Sequence, residues 1–226
     1  SSFAAPAVAA GASLVKARFP YFDANQIANQ LVRTAKTHVD SVTGSQYQIL
    51  DIGQAVKQPY RSHWQVTETG QVIALGESEH FGDLATGNPI RDVIAIAADL
   101  TGLGYWLTQT NGAVTSFGDA QDFGDLADLT LNKPIVGMAA TPSGNGYWLV
   151  ASDGGIFSFG DAQFHGSTGA MTLNKPITSV LQTRLGYDLV AEDGGVFNFN
   201  SPFLGSAALN QAELLIVDAT SRVSRW

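Results

Sequence analysis

Three tryptophans, Trp64, Trp106 and Trp148, stand forty-two residues apart, and the residues around them recur in register. Gly104-Tyr105-Trp106-Leu107 returns as Gly146-Tyr147-Trp148-Leu149. Forty residues later it appears once more as Gly186-Tyr187-Asp188-Leu189, with Asp in place of Trp. Asn111-Gly112, Asp153-Gly154 and Asp193-Gly194 follow, matched by Thr69-Gly70 in the first unit. Then come Ser116-Phe117-Gly118-Asp119, Ser158-Phe159-Gly160-Asp161 and the weaker Asn198-Phe199-Asn200-Ser201. Two units close on Asn132-Lys133-Pro134-Ile135 and Asn174-Lys175-Pro176-Ile177. A period of this length restricts the chain to an array in which each unit buries its apolar face against its neighbours. From about Tyr60 onward the chain reads as such an array, and catalysis is not expected to reside in it.

Each unit carries the local chemistry of a small antiparallel sheet. Val136 to Ala140 is a short apolar run suited to a strand buried on both faces. Trp148 to Ser152 and Gly155 to Phe159 flank Asp153-Gly154, a hairpin signal in which both turn positions would take positive φ. A fourth, shorter strand is expected around Gln163 to Gly166. Three or four strands in about forty-two residues fit one β-propeller blade, while a stacked β-solenoid more often has a shorter period. About four units are present. Leu214-Leu215-Ile216-Val217 and Trp226 leave two arrangements open: the start of a fifth unit, or a strand that completes the first.

Composition narrows the partners. The chain has no cysteine, so it forms no disulfide framework and no thiolate metal site. Residues 1–63 hold six Lys/Arg against three Asp/Glu, whereas residues 64–226 hold six against seventeen. An acidic array argues against a nucleic-acid partner. No apolar stretch approaches eighteen residues, so no membrane span is expected. No basic segment precedes an apolar core near residue 1, and the chain opens on Ser1-Ser2-Phe3 rather than Met. That opening reads as the middle of a longer protein, with any targeting signal upstream.

The first sixty residues follow a different pattern. Ser2 to Phe19 reads as a helix of small residues, with Pro6 in its first turn where the missing N–H costs nothing. Asp23, with Gln26 three residues on, forms a capping-box pattern for a second helix. Ile27, Leu31, Val32 and Ala35 are its apolar positions. Ile49 to Ile52 reads as extended. The expected division is residues 1–56, a linker over 57–63 containing Pro59, and repeats over 64–226.

Ser2 is the candidate catalytic residue. A serine just ahead of a helix of small residues holds its hydroxyl near backbone amides and the positive end of the macrodipole, where developing negative charge is favoured. Serine is also a leading helix N-cap, and local physics alone favours that alternative. The run Ser1-Ser2-Phe3-Ala4-Ala5-Pro6-Ala7-Val8-Ala9-Ala10-Gly11 resembles the nucleophile motif of subtilisin-like serine proteases, in which Gly-Thr-Ser precedes an apolar residue, Ala, Ala or Ser, and Pro. Ser2 falls on the nucleophile and Ser1 on the Thr. The similarity runs through Phe19-Pro20, Gln26-Ile27, Leu31 and Thr34-Ala35, and Gln48 to Val56 resembles that family's closing segment. Ala7 departs from a common His, and Ala9-Ala10 shift the usual Ala-Gly pair. The resemblance covers residues 1–56. It implies a secreted endopeptidase acting on protein or peptide substrates, with an Asp, a His and an oxyanion Asn in sequence upstream of this chain. It implies no cofactor here, and any calcium of the parent protein is not readable in these residues. Without its partners the fragment is expected to be inactive.

The remaining candidates have plain alternatives. His38, His63, His80 and His165 lie outside any His-Gly-Thr-like context and suggest surface or loop positions. Glu77, Asp119 and Asp161 share one repeat position, broken by Ser201; they suit either turn formation or a calcium or sugar site. The repeated tryptophans suit either packing between units or stacking on a glycan. Gly146 to Ala162 resembles repeats appended to many secreted actinobacterial hydrolases, which implies an extracellular accessory module with cell-wall or glycan contact. The expected fold class is therefore mixed: C-terminal helices of an incomplete subtilisin-like α/β domain, followed by an all-β, propeller-like domain of about four units.

Overall fold

The computed structural model describes residues 4–20, 22, 24–56, 62–76, 78–85, 92–207 and 216. They form mostly small antiparallel sheets, with three helices. The chain divides into two compact units, residues 1–60 and 61–226.

In the first unit, α1 spans Ala4–Arg18. Ala-rich sequence favours the helix, and Pro6 stands in its first turn, where no intrahelical N–H bond is lost. Lys16 and Arg18 fill the last turn, complementing the negative end of the dipole. α2 spans Ala24–Arg33; the expected cap Asp23 and the side chain of Gln26 lie outside the described residues. Leu31 is buried and Ile27 half-buried, but Val32 is 68% exposed. The reason is angular: 27, 30, 31 and 34 share one helical stripe, and position 32 lies off it. Gln30 takes the inward place instead, its Nε2 donating to the Ala55 carbonyl at 3.0 Å. Phe19 stacks on Phe22 with ring centres 4.9 Å apart, and Val15 and Ala55 join them in the core.

After α2, β1 (Lys36–Val39) pairs with β2 (Gln46–Ile49) as a hairpin that the sequence patterns did not suggest, because all eight residues are exposed. The segment expected to be extended to Ile52 stops at Ile49. Asp51 accepts the Gln54 N–H at 3.0 Å and caps a short helix, α3 (Ile52–Ala55).

The second unit repeats one sheet. β3 (Ser62–Val66) pairs with β4 (Val72–Gly76). β5 (Val93–Ala98), β6 (Gly104–Gln109) and β7 (Val114–Gly118) form a three-stranded sheet with β6 in the middle. β8 (Ile135–Ala140), β9 (Gly146–Ala151) and β10 (Ile156–Gly160) form the next, and β11 (Ile177–Gln182), β12 (Tyr187–Ala191) and β13 (Val196–Phe199) the last. β5, β8 and β11 each carry a register shift after their first residue, at the same repeat position. These strands also lie beside one another, β5 next to β8 and β8 next to β11. β8 alternates buried and half-buried residues rather than burying both faces equally.

Two local expectations change. The hairpins are not two-residue turns with positive φ throughout. Gly154 takes φ 80°, but among the described residues only Asn200 is a non-glycine at positive φ. Gly154 N–H donates to Ala151 O and Ala151 N–H to Gly155 O, which closes a three-residue loop with glycine in the left-handed position. The Asp153 carboxylate accepts the Gly155 N–H at 2.9 Å, as Asn111 does from Ala113 and Asp193 from Gly195. The expected fourth strand near Gln163 to Gly166 is absent. Its carbonyls are taken by aromatic side chains: Trp148 Nε1 donates to Gln163 O, and Tyr187 Oη to Gly166 O.

The core lies between sheets rather than within them. One buried cluster joins Trp106, Val114, Leu126 and Ile135 to Tyr147 and Leu149 of the next sheet. Another joins Trp148 and Val150 to Ile177, Tyr187 and Leu189. A third joins Val72 and Val93 to Tyr105 and Leu107. Each of the first three sheets thus shares a core with the sheet that follows it.

Candidate functional site

Ser2 itself lies outside the described residues. What is described begins two residues later, where α1 starts at Ala4 with no acidic residue in its first turn. α1 packs against α2 and α3, and Gly11 permits the approach: a β-carbon there would sit 3.3 Å from Leu31 and 3.4 Å from Ile52.

The histidines occupy separate local settings. His38 on β1 packs its ring 5.0 Å from that of Tyr47 across the hairpin. His63 is exposed on β3. His80 Nε2 stands 3.5 Å from an Asp83 oxygen. His165 donates its backbone N–H to Tyr187 Oη, with ring centres 5.9 Å apart. Among the described residues no three His, Asp or Glu side chains come together as a metal site. In the acidic repeat position, Asp161 accepts from Thr141 Oγ1 at 2.9 Å and from the Ser143 hydroxyl, tying down the turn between β8 and β9. Glu77 lies outside the described residues.

Asp99 replaces Thr141 at the equivalent turn. Its carboxylate accepts from Thr101 Oγ1 and from the N–H groups of Leu103 and Gly104. Burial nevertheless lifts its pKa above the ordinary carboxylate value, the bonds offsetting only part of the desolvation.

The glycan-stacking alternative for Trp106 and Trp148 is overturned. They are 0% and 3% exposed, and each indole N–H donates at 2.8 Å to a carbonyl, Gln121 O and Gln163 O respectively. Trp64, Trp106 and Trp148 face Tyr105, Tyr147 and Tyr187 of the following sheets at 5.4, 5.5 and 5.3 Å between ring centres. Those tyrosines were not singled out as site or core residues from the sequence. Each donates at 2.6 Å to a carbonyl of the preceding unit: Gly82, Gly124 and Gly166. The signal was present, since Tyr precedes the Trp position in all three Gly-Tyr motifs.

A cavity of about 870 Å³ lies where the repeats converge, lined by β5, β8 and β11 and by Gln65 and Val66 of β3. Its lining mixes small residues such as Ala95, Gly137 and Ser179 with larger ones such as Met138, Leu181 and Gln182. Ser179 is 4% exposed and its hydroxyl has no hydrogen-bond partner among the described residues. An unpaired buried hydroxyl costs roughly 1–3 kcal/mol. Neither this cavity nor Ser179 is marked by any motif, because it arises where repeats meet rather than inside one.

No protein-family model matches the chain, and no curated protein matches it.

Proposed function

We propose that this chain is the C-terminal portion of a secreted subtilisin-like serine endopeptidase, carrying its nucleophile at Ser2 and a propeller-like appendage over residues 64–226. The observation that carries the reading is Ser2 followed at once by Phe3-Ala4-Ala5-Pro6, with a helix from Ala4 to Arg18. Backbone amides at that helix start would stabilise an oxyanion, and the motif supplies the nucleophile. Ser2 Oγ would attack the scissile carbonyl, forming an ester and displacing the amine, and water would then release the acid. The base and its orienting carboxylate belong to upstream sequence, so the 226-residue chain is inactive alone. The appendage is acidic, which in this reading argues against a nucleic-acid partner.

The test is casein hydrolysis by the parent protein extended upstream of Ser1. Ser2→Ala is expected to lower turnover by about 10³-fold or more. Equal hydrolysis by that variant would overturn the assignment.

A second reading, a non-catalytic extracellular module that binds a cell-wall glycan or protein, is favoured by one observation, the cavity with its unpartnered Ser179 hydroxyl. Residues 61–226 would then bind on a glycan array or in a pull-down with purified cell-wall protein. Absence of binding in both would remove it.

A further inference from the structure

Asn-Gly occurs twice in the chain, at Asn111-Gly112 and Asn145-Gly146. The pair is chemically labile, because no β-carbon shields the glycine nitrogen. That nitrogen attacks the asparagine side-chain carbonyl carbon and closes a succinimide. The Cγ–Nδ2 bond breaks, and ammonia leaves with the proton lost from the glycine nitrogen. Water then opens the ring to aspartate or isoaspartate. The attack needs a glycine N–H that no acceptor holds and an asparagine side chain that is free to turn.

The two sites differ on both counts. Asn111 lies in the loop between β6 and β7, where Gly112 N–H donates to Gln109 O at 2.9 Å. The Asn111 side-chain oxygen accepts from Ala113 N–H at 2.9 Å. Leu126 N–H donates to Gly112 O at 3.0 Å and pins the glycine further. Asn111 is exposed, yet both of its reacting groups are engaged.

Asn145 ends the turn between β8 and β9 and is half-buried. Its main chain is held: Asn145 N–H donates to Ser143 Oγ at 3.2 Å, and Asn145 O accepts from Asp161 N–H at 3.0 Å. Its side chain makes no hydrogen bond among the described residues. The glycine nitrogen differs from its counterparts as well. In the second sheet Gly104 N–H donates to Asp99 Oδ1 at 3.2 Å, and in the fourth Gly186 N–H donates to Thr183 Oγ1 at 3.1 Å. Thr141 holds that place in the third sheet, but its hydroxyl is committed to Asp161 at 2.9 Å and to Ser143 at 2.8 Å. Gly146 N–H therefore has no side-chain acceptor among the described residues. Nor does the repeat call for asparagine here, since Leu103 and Leu185 fill the same position.

We infer that Asn145 is a site of spontaneous covalent modification, deamidating through a succinimide with Gly146, while Asn111 is protected by its loop. Water is the co-reactant, and no enzyme is required. The product acts on the array. Isoaspartate adds a methylene to the backbone between the groups bonded to Ser143 and Asp161, which loosens the β8–β9 turn. Aspartate adds a negative charge to the turn that Asp161 already ties down. The inference is independent of any chemistry at Ser2.

The two sites report on each other in one sample. The full 226-residue chain is aged in mildly alkaline buffer made with heavy-oxygen water, then cut with chymotrypsin and mapped by mass spectrometry. Phe117 and Phe123 lie between the sites and place them on separate peptides. Asn145 is expected to take up label about tenfold faster than Asn111, the ratio for roughly one hydrogen bond that must break before attack. In urea the two are expected to react at similar rates. Equal rates in the folded chain, faster reaction at Asn111, or no reaction at Asn145 under conditions where the unfolded chain reacts would each overturn the inference. Thr141→Asp gives Gly146 the acceptor that Asp99 gives Gly104, and the second sheet already carries Asp99 and Asp119 at the two positions concerned. That variant is expected to slow Asn145 toward the Asn111 rate and to leave Asn111 unchanged. An unaltered rate at Asn145 would overturn the part assigned to the glycine N–H. Should the variant not fold, the comparison within the unaltered chain decides alone.

Discussion

At each described junction a phenol hydroxyl of one sheet donates to a carbonyl of the unit before it, beside the indole that packs there. Tyr147 is fully buried and donates to Gly124 O at 2.6 Å, fastening one sheet to the loop of the sheet before it. Burial pushes its pKa up to about 12 from 10.0, with Asp122 and Asp125 adding to the rise and the Phe123 N–H opposing it. The folded state therefore holds the proton longer than the unfolded one. Stability from this group is complete below pH 10 and is lost as pH rises from 10 toward 12. Tyr147→Phe is expected to cost about 1–2 kcal/mol at neutral pH, from the orphaned carbonyl. It should also flatten the decline of stability between pH 10 and 12, relative to the parent. Urea titrations at several alkaline pH values check both. An unchanged alkaline slope in the variant would remove Tyr147 as its source. At this scale the sequence was partly legible. Glycines and aromatics stood out by recurrence, but which aromatic packs and which bonds depended on geometry between units. Asn200 illustrates the limit: it takes φ 52° where the repeat otherwise has Gly118 and Gly160, a substitution that asparagine tolerates.

At the scale of the element, the hairpins were legible in place and not in type. Asn-Gly or Asp-Gly between apolar runs located three of them, because few residue pairs reverse a strand so tightly. The pattern could not count loop residues, and the structure has three, with only the glycine left-handed. That makes Gly154 and Asp153 unequal. A β-carbon at Gly154 would be strained at φ 80° and would collide with the Thr168 side chain. Gly154→Ala is expected to lose about 1–3 kcal/mol, and Asp153→Asn less than about 0.5 kcal/mol, since Asn111 already fills that role. Thermal melts of the two variants separate these cases, and equal losses would contradict the loop geometry. The missing fourth strand has a related cause. A short polar-aromatic stretch can spend its carbonyls on a neighbouring ladder or on side chains, and local sequence does not say which. In the helical segment the period was legible, but Val32 was assigned to the apolar face when Gln30 holds it, since a long amide that finds a buried carbonyl passes for a polar surface residue.

The whole molecule carries two cores of different kinds. Val15, Phe19, Phe22, Leu31 and Ala55 serve residues 1–60, and the inter-sheet clusters serve residues 61–226. Nature has also separated their probes. All three described helices lie in the first unit, and all four tryptophans lie in the second. Far-ultraviolet dichroism at the helical band therefore follows one unit and indole fluorescence the other. Trp148→Ala removes the largest side chain of the cluster between the third and fourth sheets, at an expected cost of about 3–5 kcal/mol. Leu31→Ala opens the helical core for about 2–5 kcal/mol. Units that fold around separate cores should respond separately. In guanidinium titrations, Trp148→Ala is expected to lower the fluorescence midpoint and leave the helical midpoint in place, and Leu31→Ala to do the reverse. Should either variant move both midpoints by the same amount, the chain would be one cooperative body, and the boundary near residue 60 would mark a change of sequence pattern rather than of folding unit.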